Sequence, residues 1–404
     1  MALRLSLAPS GTGPMDGFPT LPVSSGESTP VRLDELLVDL AERSRETRFR
    51  VAPNPCVGAA VLSQEVEIGR GFHAEWGGPH AEVHALSSAG SSGLARERWD
   101  TVVVTLEPCS SQGKTPACVD ALLEAGVRRV VVGAVDPDSR HQGRGIEALR
   151  EAGVEVELMQ VTPLNHFAPH FLRWLQPERV RRPRPWTIAK WAQTRTGQLT
   201  PPADVGDGRW ISGPDSLAEV HHMRRRCDAI VTGIGTVRED DPRLTVRRPA
   251  VTDNPPIRVV LDTELSLSPD ARLFAPPAEG ECAGEVHVFC RPGASPARHR
   301  ALEKRGAKVT SVRIGDDGKL SLRQVSRELW NLGARRVLLE AGPTLLDAWF
   351  QSALVDQVAG YTGAVNGGRG PSLAQWLEPR RLEDNMWRDV GPDTVLEAFV
   401  RPTK

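Results

Sequence analysis

The feature that most limits how this chain can fold is a set of donors spread over three segments: His80-Ala81-Glu82, then Pro108-Cys109, then Cys118. One imidazole and two thiols can share a divalent metal only if distant stretches of backbone converge on one point. Glu82 adds a carboxylate that need not bind the metal. The local pattern places His80 and Glu82 on the first turn of a helix, Cys109 just past a strand end, and Cys118 near the start of the next helix. Thiolates at helix N-termini gain from the positive end of the helix dipole. A fold that meets these demands alternates strands and helices.

The rest of the chain reads the same way. Leu33, Leu36, Leu37 and Leu40 form one apolar face at helical spacing. Strands are predicted over 57–62, 101–106, 127–133 and 154–158, with helices over 80–89, 116–125 and 145–152. A second alternating series begins at Trp186, with strands over 186–191, 229–233, 257–261, 286–289, 308–312 and 335–339. Its helices cover 214–225, 294–305, 321–332 and 344–351. Such alternation implies sheets covered by helices. At 404 residues the chain has room for two domains. We divide it into a disordered tail over residues 1–30, rich in Gly, Pro, Ser and Thr, a first domain over 31–176, a solvated Pro/Arg-rich linker over 177–185, and a second domain over 186–404. No internal repeat relates the two halves.

A formal net charge of −1 argues against broad electrostatic attraction to nucleic acid. Arg179–Arg184 and Arg224–Arg226 are the candidates for a local patch. Six cysteines in a chain of this length do not form a disulfide framework. The N-terminus lacks a continuous apolar region of the secretory kind, and no apolar run approaches a membrane span. These features predict a cytoplasmic protein with no membrane partner.

His-x-Glu followed by Pro-Cys is the inventory of a zinc deaminase. Three protein ligands hold the metal, a fourth position is left for water, and a nearby Glu moves protons. Taken singly, Cys118 could be a buried small hydrophobe and His80 a helix cap; in combination the metal reading prevails. Nucleic-acid deaminases usually carry Pro-Cys-x-x-Cys, whereas eight residues separate Cys109 from Cys118 here. In the second half no Gly-x-Gly-x-x-Gly follows the first strand. The strongest local signal there is Leu339-Glu340-Ala341-Gly342-Pro343-Thr344, a strand, glycine turn and helix start that can present backbone N–H groups to a phosphate. His73 and His84 are open between lining a pocket and lying at the surface.

The segments Ala52-Pro53-Asn54-Pro55-Cys56-Val57-Gly58-Ala59, Gly78-Pro79-His80-Ala81-Glu82-Val83-His84-Ala85-Leu86, Thr105-Leu106-Glu107-Pro108-Cys109-Ser110 and Gly113-Lys114-Thr115-Pro116-Ala117-Cys118 resemble the bifunctional riboflavin-biosynthesis deaminase/reductase family. Trp210-Ile211-Ser212, Arg224, and 228–247 resemble its reductase half. The resemblance implies an α/β chain with a cytidine-deaminase-like three-layer domain followed by a dihydrofolate-reductase-like α/β domain. It implies His80, Cys109 and Cys118 as zinc ligands, Glu82 as proton shuttle, and Asn54 as a substrate contact. Trp210, Thr236, Asp240 and Gly342 would contact NADPH, while Arg224, Leu244, Arg247 and Glu340 would hold the phosphorylated sugar. The implied reactions are hydrolytic deamination of 2,5-diamino-6-(5-phosphoribosylamino)pyrimidin-4(3H)-one and NADPH-dependent reduction of its ribosyl chain, giving 5-amino-6-(5-phosphoribitylamino)uracil. A homodimer formed through the reductase domain is implied as well.

Several positions depart from the family pattern. Ser111-Gln112 stands where one or two histidines are usual, and Asp136-Pro137-Asp138-Ser139 replaces Asp-Pro-Asn-Pro. Thr194-Arg195-Thr196-Gly197 replaces Ser-Leu-Asp-Gly, removing an acidic side chain at Thr196, and Gly208 stands in place of a serine. Thr196 motivates a rival reading, a deaminase whose second domain only binds ligand or supports a dimer. A nucleic-acid-editing deaminase and a non-catalytic zinc-binding protein are the other rivals.

Overall fold

Two sheets organise the chain. They are seen in a computed structural model that describes residues 31–111, 113, 116–202, 211–315 and 317–402. The tail expected over 1–30, together with Gln112, Lys114, Thr115, Gly208 and Trp210, lies outside the described residues. The first sheet contains β1 (Gly58–Ser63), β2 (Val66–Phe72), β3 (Thr101–Val104), β4 (Arg129–Val132) and β5 (Glu155–Leu158), in the order β2-β1-β3-β4-β5. β1 runs antiparallel to β2 and β3, and β3, β4 and β5 are parallel.

Every second residue of these strands faces one of two helical layers. Ala59, Val61, Val102, Val104, Val130 and Val132 pack with Ala81, Ala85, Ala89, Leu122 and Leu149. Their neighbours Ala60, Leu62, Val103 and Val131 pack with Leu36, Leu37 and Leu40 on the opposite side. The result is the three-layer arrangement expected for this half. β2 carries little alternation that could be read from sequence, and the reason is steric. A Cβ on Gly71 would lie 2.3 Å from the Ala85 nitrogen, and one on Gly69 would lie 2.4 Å from the Ala89 nitrogen. The helix Ala81–Gly90 therefore rests on bare backbone, which brings its first turn close to the sheet.

The second half adds β6 (Trp186–Gln193), β7 (Ala229–Gly233), β8 (Val246–Arg247), β9 (Ile257–Leu261), β10 (Glu281–Cys282), β11 (Val286–Cys290), β12 (Lys308–Ser311), β13 (Arg336–Glu340), β14 (Gln357–Thr362), β15 (Leu382–Val390) and β16 (Asp393–Val400). Nine of them form one sheet in the order β12-β11-β9-β7-β13-β6-β14-β16-β15, while β8 and β10 pair apart from it. The sheet is parallel up to β14 and antiparallel through β16 and β15. The strands and helices predicted from sequence are present, with ends shifted by a few residues. β2, β8, β10, β14, β15, β16, the helix Ile234–Asp240 and several short helices, among them Arg48–Val51 and Pro169–Trp174, are additional.

The reading of 177–185 as a solvated linker is corrected. Pro177–Arg181 is a short helix, and two of the arginines are engaged. Arg179 and Arg184 both grip the carboxylate of buried Asp356, at 2.6 Å and 2.8 Å in their closest contacts, and Asp356 also accepts from the Thr187 backbone at 2.9 Å. Burial would raise the Asp356 carboxyl, but the two guanidiniums outweigh it and hold it well below the usual range. With the folded pKa depressed, this stabilisation is complete above the unfolded-state value of about 4 and is lost as pH falls below it. Asp356→Asn should therefore lower the unfolding free energy at neutral pH by about 3–5 kcal/mol. In urea unfolding, the advantage of the native chain over the variant should shrink steadily towards about pH 3. A gap that does not change with pH would contradict this.

Candidate active sites

The first site forms where a helix start, a strand end and a second helix start meet. His80 is the N-cap of the helix Ala81–Gly90, Cys109 lies beyond the end of β3, and Cys118 is the first residue of the helix Cys118–Glu124. His80 Nδ1 lies 3.2 Å from Cys118 Sγ and 3.6 Å from Cys109 Sγ, and the three donor atoms all fall within 4.8 Å of one another. Tetrahedral zinc with bonds of about 2.0–2.3 Å separates its ligands by roughly 3.5 Å, so the donor set fits that ion. The Cys118 backbone N–H donates to Cys109 Sγ at 3.3 Å. A hydrogen bond to Cys118, aided by one from His80, holds the Cys109 thiol well below its usual range, and the same contact with burial pushes Cys118 up.

Glu82, buried on the first turn of the same helix, lines the cavity with His80 and Cys109. Burial pushes its carboxyl up. The cavity encloses about 310 Å³ and is also lined by Asn54, His73, Asp136 and Arg140. His73 is thus a buried lining residue, its ring 3.2 Å from Asn54 Nδ2. His84 is not in the lining; its Nδ1 faces the Phe72 carbonyl at 2.7 Å. At the departure from Asp-Pro-Asn-Pro, Asp138 pairs with Arg140, and at the other Ser111 Oγ sits 3.3 Å from His141 Nδ1.

Four contributors escaped sequence reasoning. Phe171 and Trp174 come from the helix Pro169–Trp174 and close one wall. Its His170 donates from Nε2 to the Asn54 carbonyl at 2.8 Å, and burial keeps that imidazole neutral, its pKa pulled down to about 3. Glu107 is the fourth. Its carboxylate accepts from the backbone N–H groups of Asp136, Gly143, Gly145 and Ile146 at 2.8–3.3 Å. A Cβ on Gly145 would lie 1.9 Å from the Pro108 carbonyl oxygen, so glycine is required where this turn meets the Cys109 segment. Glu107 shapes the turn that presents Cys109 to the His80 and Cys118 cluster. Glu107→Gln, which offers the four donors one oxygen instead of two, should cut zinc affinity about 10–100-fold. Chelator competition measures it, and unchanged affinity would refute the role.

The second site lies at the carboxyl ends of β6, β7 and β13. Arg224, at the end of the helix Pro214–Arg225, grips Glu340 at 2.6 and 2.9 Å and donates to the Thr245 carbonyl at 2.8 Å. Lys190, directly opposite Glu340 in the β13–β6 register, has its ammonium pKa lowered by burial against the pull of Glu340. Neither Lys190 nor His221 was singled out by sequence. His221 stands among Arg224 and Arg247, and burial with those two cations lowers its pKa to about 4. Arg247 is half exposed and paired with Glu281. Thr236 Oγ1 accepts from the Gly342 backbone N–H at 3.0 Å, which joins two of the expected cofactor contacts. Asp240 ends the helix Ile234–Asp240, and Leu244 is a buried core residue with φ +49°. Trp210 lies outside the described residues. Thr196 Oγ1 contacts Gln198, the Gly367 carbonyl at 3.1 Å and Thr194 Oγ1 at 3.1 Å, so hydroxyls and an amide hold the turn that the family closes with an acidic residue.

Two family models match the chain: the RibD C-terminal domain over residues 185–396 and the cytidine and deoxycytidylate deaminase zinc-binding region over 31–134. The chain belongs to the RibD family. It is 37% identical to the riboflavin biosynthesis protein RibD of Synechocystis, over 87% of this chain and 92% of that protein. To RibD of Escherichia coli it is 32% identical, over 88% and 95%. Among solved structures, Acinetobacter baumannii RibD superposes with a TM-score of 0.60 at 27% identity, covering 92% of this chain and 99% of that one. A Thermotoga maritima diaminohydroxyphosphoribosylaminopyrimidine deaminase/5-amino-6-(5-phosphoribosylamino)uracil reductase gives 0.61 at 28% identity, covering 92% and 100%. The RibD fold, a zinc-binding deaminase domain followed by a reductase domain of the NADP-binding kind, is thus the fold of this chain.

Proposed function

We propose that this chain carries out two successive reactions of riboflavin biosynthesis, one at each site. The observation that carries the reading is the His80, Cys109 and Cys118 cluster, with the Glu82 carboxyl in the same buried cavity. At the first site the substrate is 2,5-diamino-6-(5-phosphoribosylamino)pyrimidin-4(3H)-one. His80, Cys109 and Cys118 hold zinc, which when bound supplies a water activated at neutral pH. Glu82 takes a proton from the attacking water as oxygen adds to the amine-bearing ring carbon, then delivers it to the departing nitrogen, so that water enters and ammonia leaves. Asn54 and His73 orient the ring, and Arg140 offers a cation to the ribose phosphate at the cavity edge. Phe171 and Trp174 exclude bulk water.

At the second site NADPH supplies a hydride to the ring-opened ribose. Thr236, Asp240 and Gly342, with Trp210, hold that cofactor in this reading. Arg224, Arg247, His221 and the Leu244 backbone receive the phosphorylated sugar, since arginine forks suit phosphate. Glu340, which grips Arg224, holds the sugar with it in this reading, and the buried Lys190 opposite Glu340 supplies the proton to the sugar oxygen. The division at 176 and 186, the homodimer, the cytoplasmic location and the lack of a nucleic-acid partner belong to the same proposal. The outer strand β15, with Trp387 62% exposed, and the net charge of −1 support the dimer and the small-molecule reading. Among the described residues no helix is long and apolar enough to cross a membrane.

Glu82→Gln should leave zinc bound while ammonia release falls by about 10²–10⁴-fold. NADPH oxidation with the deaminated substrate should be unchanged in the same variant. Full ammonia release would remove Glu82 from the mechanism. Loss of zinc would make its role structural.

A further inference from the structure

A second cavity, of about 740 Å³, opens at the end of the nine-stranded sheet opposite the reductase site. Ligands of open α/β sheets sit at the carboxyl ends of the strands. This cleft is instead lined by Trp186, the first residue of β6, by Val355 and Asp356 ahead of β14, and by Val400 at the end of antiparallel β16. Its volume lies in the range of small-molecule sites. It belongs to neither site described above.

Its lining is strongly cationic although the whole chain is nearly neutral. Eight arginines face it, against Glu178 and Asp356. Apart from Glu178, the nearby carboxylates are shared between two arginines: Asp356 between Arg179 and Arg184, Glu383 between Arg173 and Arg401, and Glu378 between Arg380 and Arg381. Every such pairing leaves a positive charge over. Arg182 and Arg323, both exposed, have no carboxylate partner among the described residues. In addition, Nε and Nη2 of Arg173 and Nε of Arg179 and Arg381 are buried without an acceptor. Like charges gathered in a concave surface at this cost create a focused positive potential, and guanidinium forks match phosphoryl oxygens in geometry.

We infer that this cleft is a separate anion site for a small molecule bearing two or more phosphoryl groups. The aromatic Trp376 in its wall is already covered, stacked on Phe350 at 4.8 Å with Arg381 at 4.7 Å over its ring, so recognition rests on charge and not on base stacking. The concave shape favours a compact anion over a polynucleotide.

Inorganic pyrophosphate is the probe, titrated calorimetrically into the full zinc-loaded chain carrying Arg247→Glu and saturated with NADPH, so that uptake at the reductase site is suppressed and the cleft is read. Pyrophosphate should bind, and adding Arg182→Glu, Arg323→Glu and Arg380→Glu should weaken it by about tenfold or more. All three side chains are exposed, and ammonia release, which they do not touch, reports that the fold is intact. The corresponding Arg→Gln triple variant should show a smaller loss of the same sign, and it decides the matter if the charge reversal perturbs folding. Undiminished binding in both triple variants, or no pyrophosphate binding at all, would overturn the inference. So would binding confined to an RNA oligonucleotide with steep salt dependence.

Discussion

A buried guanidinium is a central tie between the two halves of this molecule. Arg336 opens β13, is 1% exposed, and donates from Nη1 and Nη2 to the carbonyls of Arg50 and Phe49, in the short helix Arg48–Val51. Those carbonyls sit at a helix C-terminus, where a cation is favoured. Burial lowers the Arg336 pKa only to about 10, so it remains charged at neutral pH. The same strand ends in Glu340, inside the reductase site, and the helix it grips runs into the Asn54 segment of the deaminase site. One ion therefore sets the position of loops belonging to two chemistries.

The helix Pro214–Arg225 makes a second connection. Arg224 clamps Glu340 and Thr245 in the reductase site, while the next residue, Arg225, reaches across to Glu75 at 2.6 and 2.8 Å. Glu75 lies in the segment that leads from β2 to His80 and carries Trp76 into the deaminase cavity. Neighbouring residues on one helix thus fix a wall of each site. Such partly buried charge pairs leave each carboxylate satisfied and restrict relative movement of the halves, which suits sites that need fixed distances more than adaptability.

The convergence of His80, Cys109 and Cys118, with Glu82 beside them, was legible in the sequence because their chemistry is discrete: few arrangements of His, Glu and Cys at this spacing do anything else. The parallel strands were legible because their β-branched runs leave little alternative. What stayed hidden was relational. Arg179 and Arg184 meet an Asp356 that lies far along the chain, and nothing in Pro177–Pro185 signals that partner. Glu107 reads as an ordinary residue before Pro108, although four backbone donors converge on it. β2 loses its apolar alternation to Gly69 and Gly71, and β15, the polar outer strand Leu382–Val390, has only one well-covered face. Thr196 was visible as a departure, whereas the hydroxyl and amide contacts that take over its turn appear only when Gln198 and Gly367 are brought alongside.

The central claim is that both sites work on one chain, in sequence, with Thr196 in place of the usual acidic residue. The most direct measurement follows ammonia release and NADPH oxidation separately in one reaction, using the purified zinc-loaded chain and the diamino-pyrimidine substrate. The account predicts that both proceed, with one NADPH consumed for each ammonia released once the intermediate has built up. Ammonia release with no NADPH oxidation, even when the deaminated intermediate is supplied directly, would contradict it and leave the second domain a binding module.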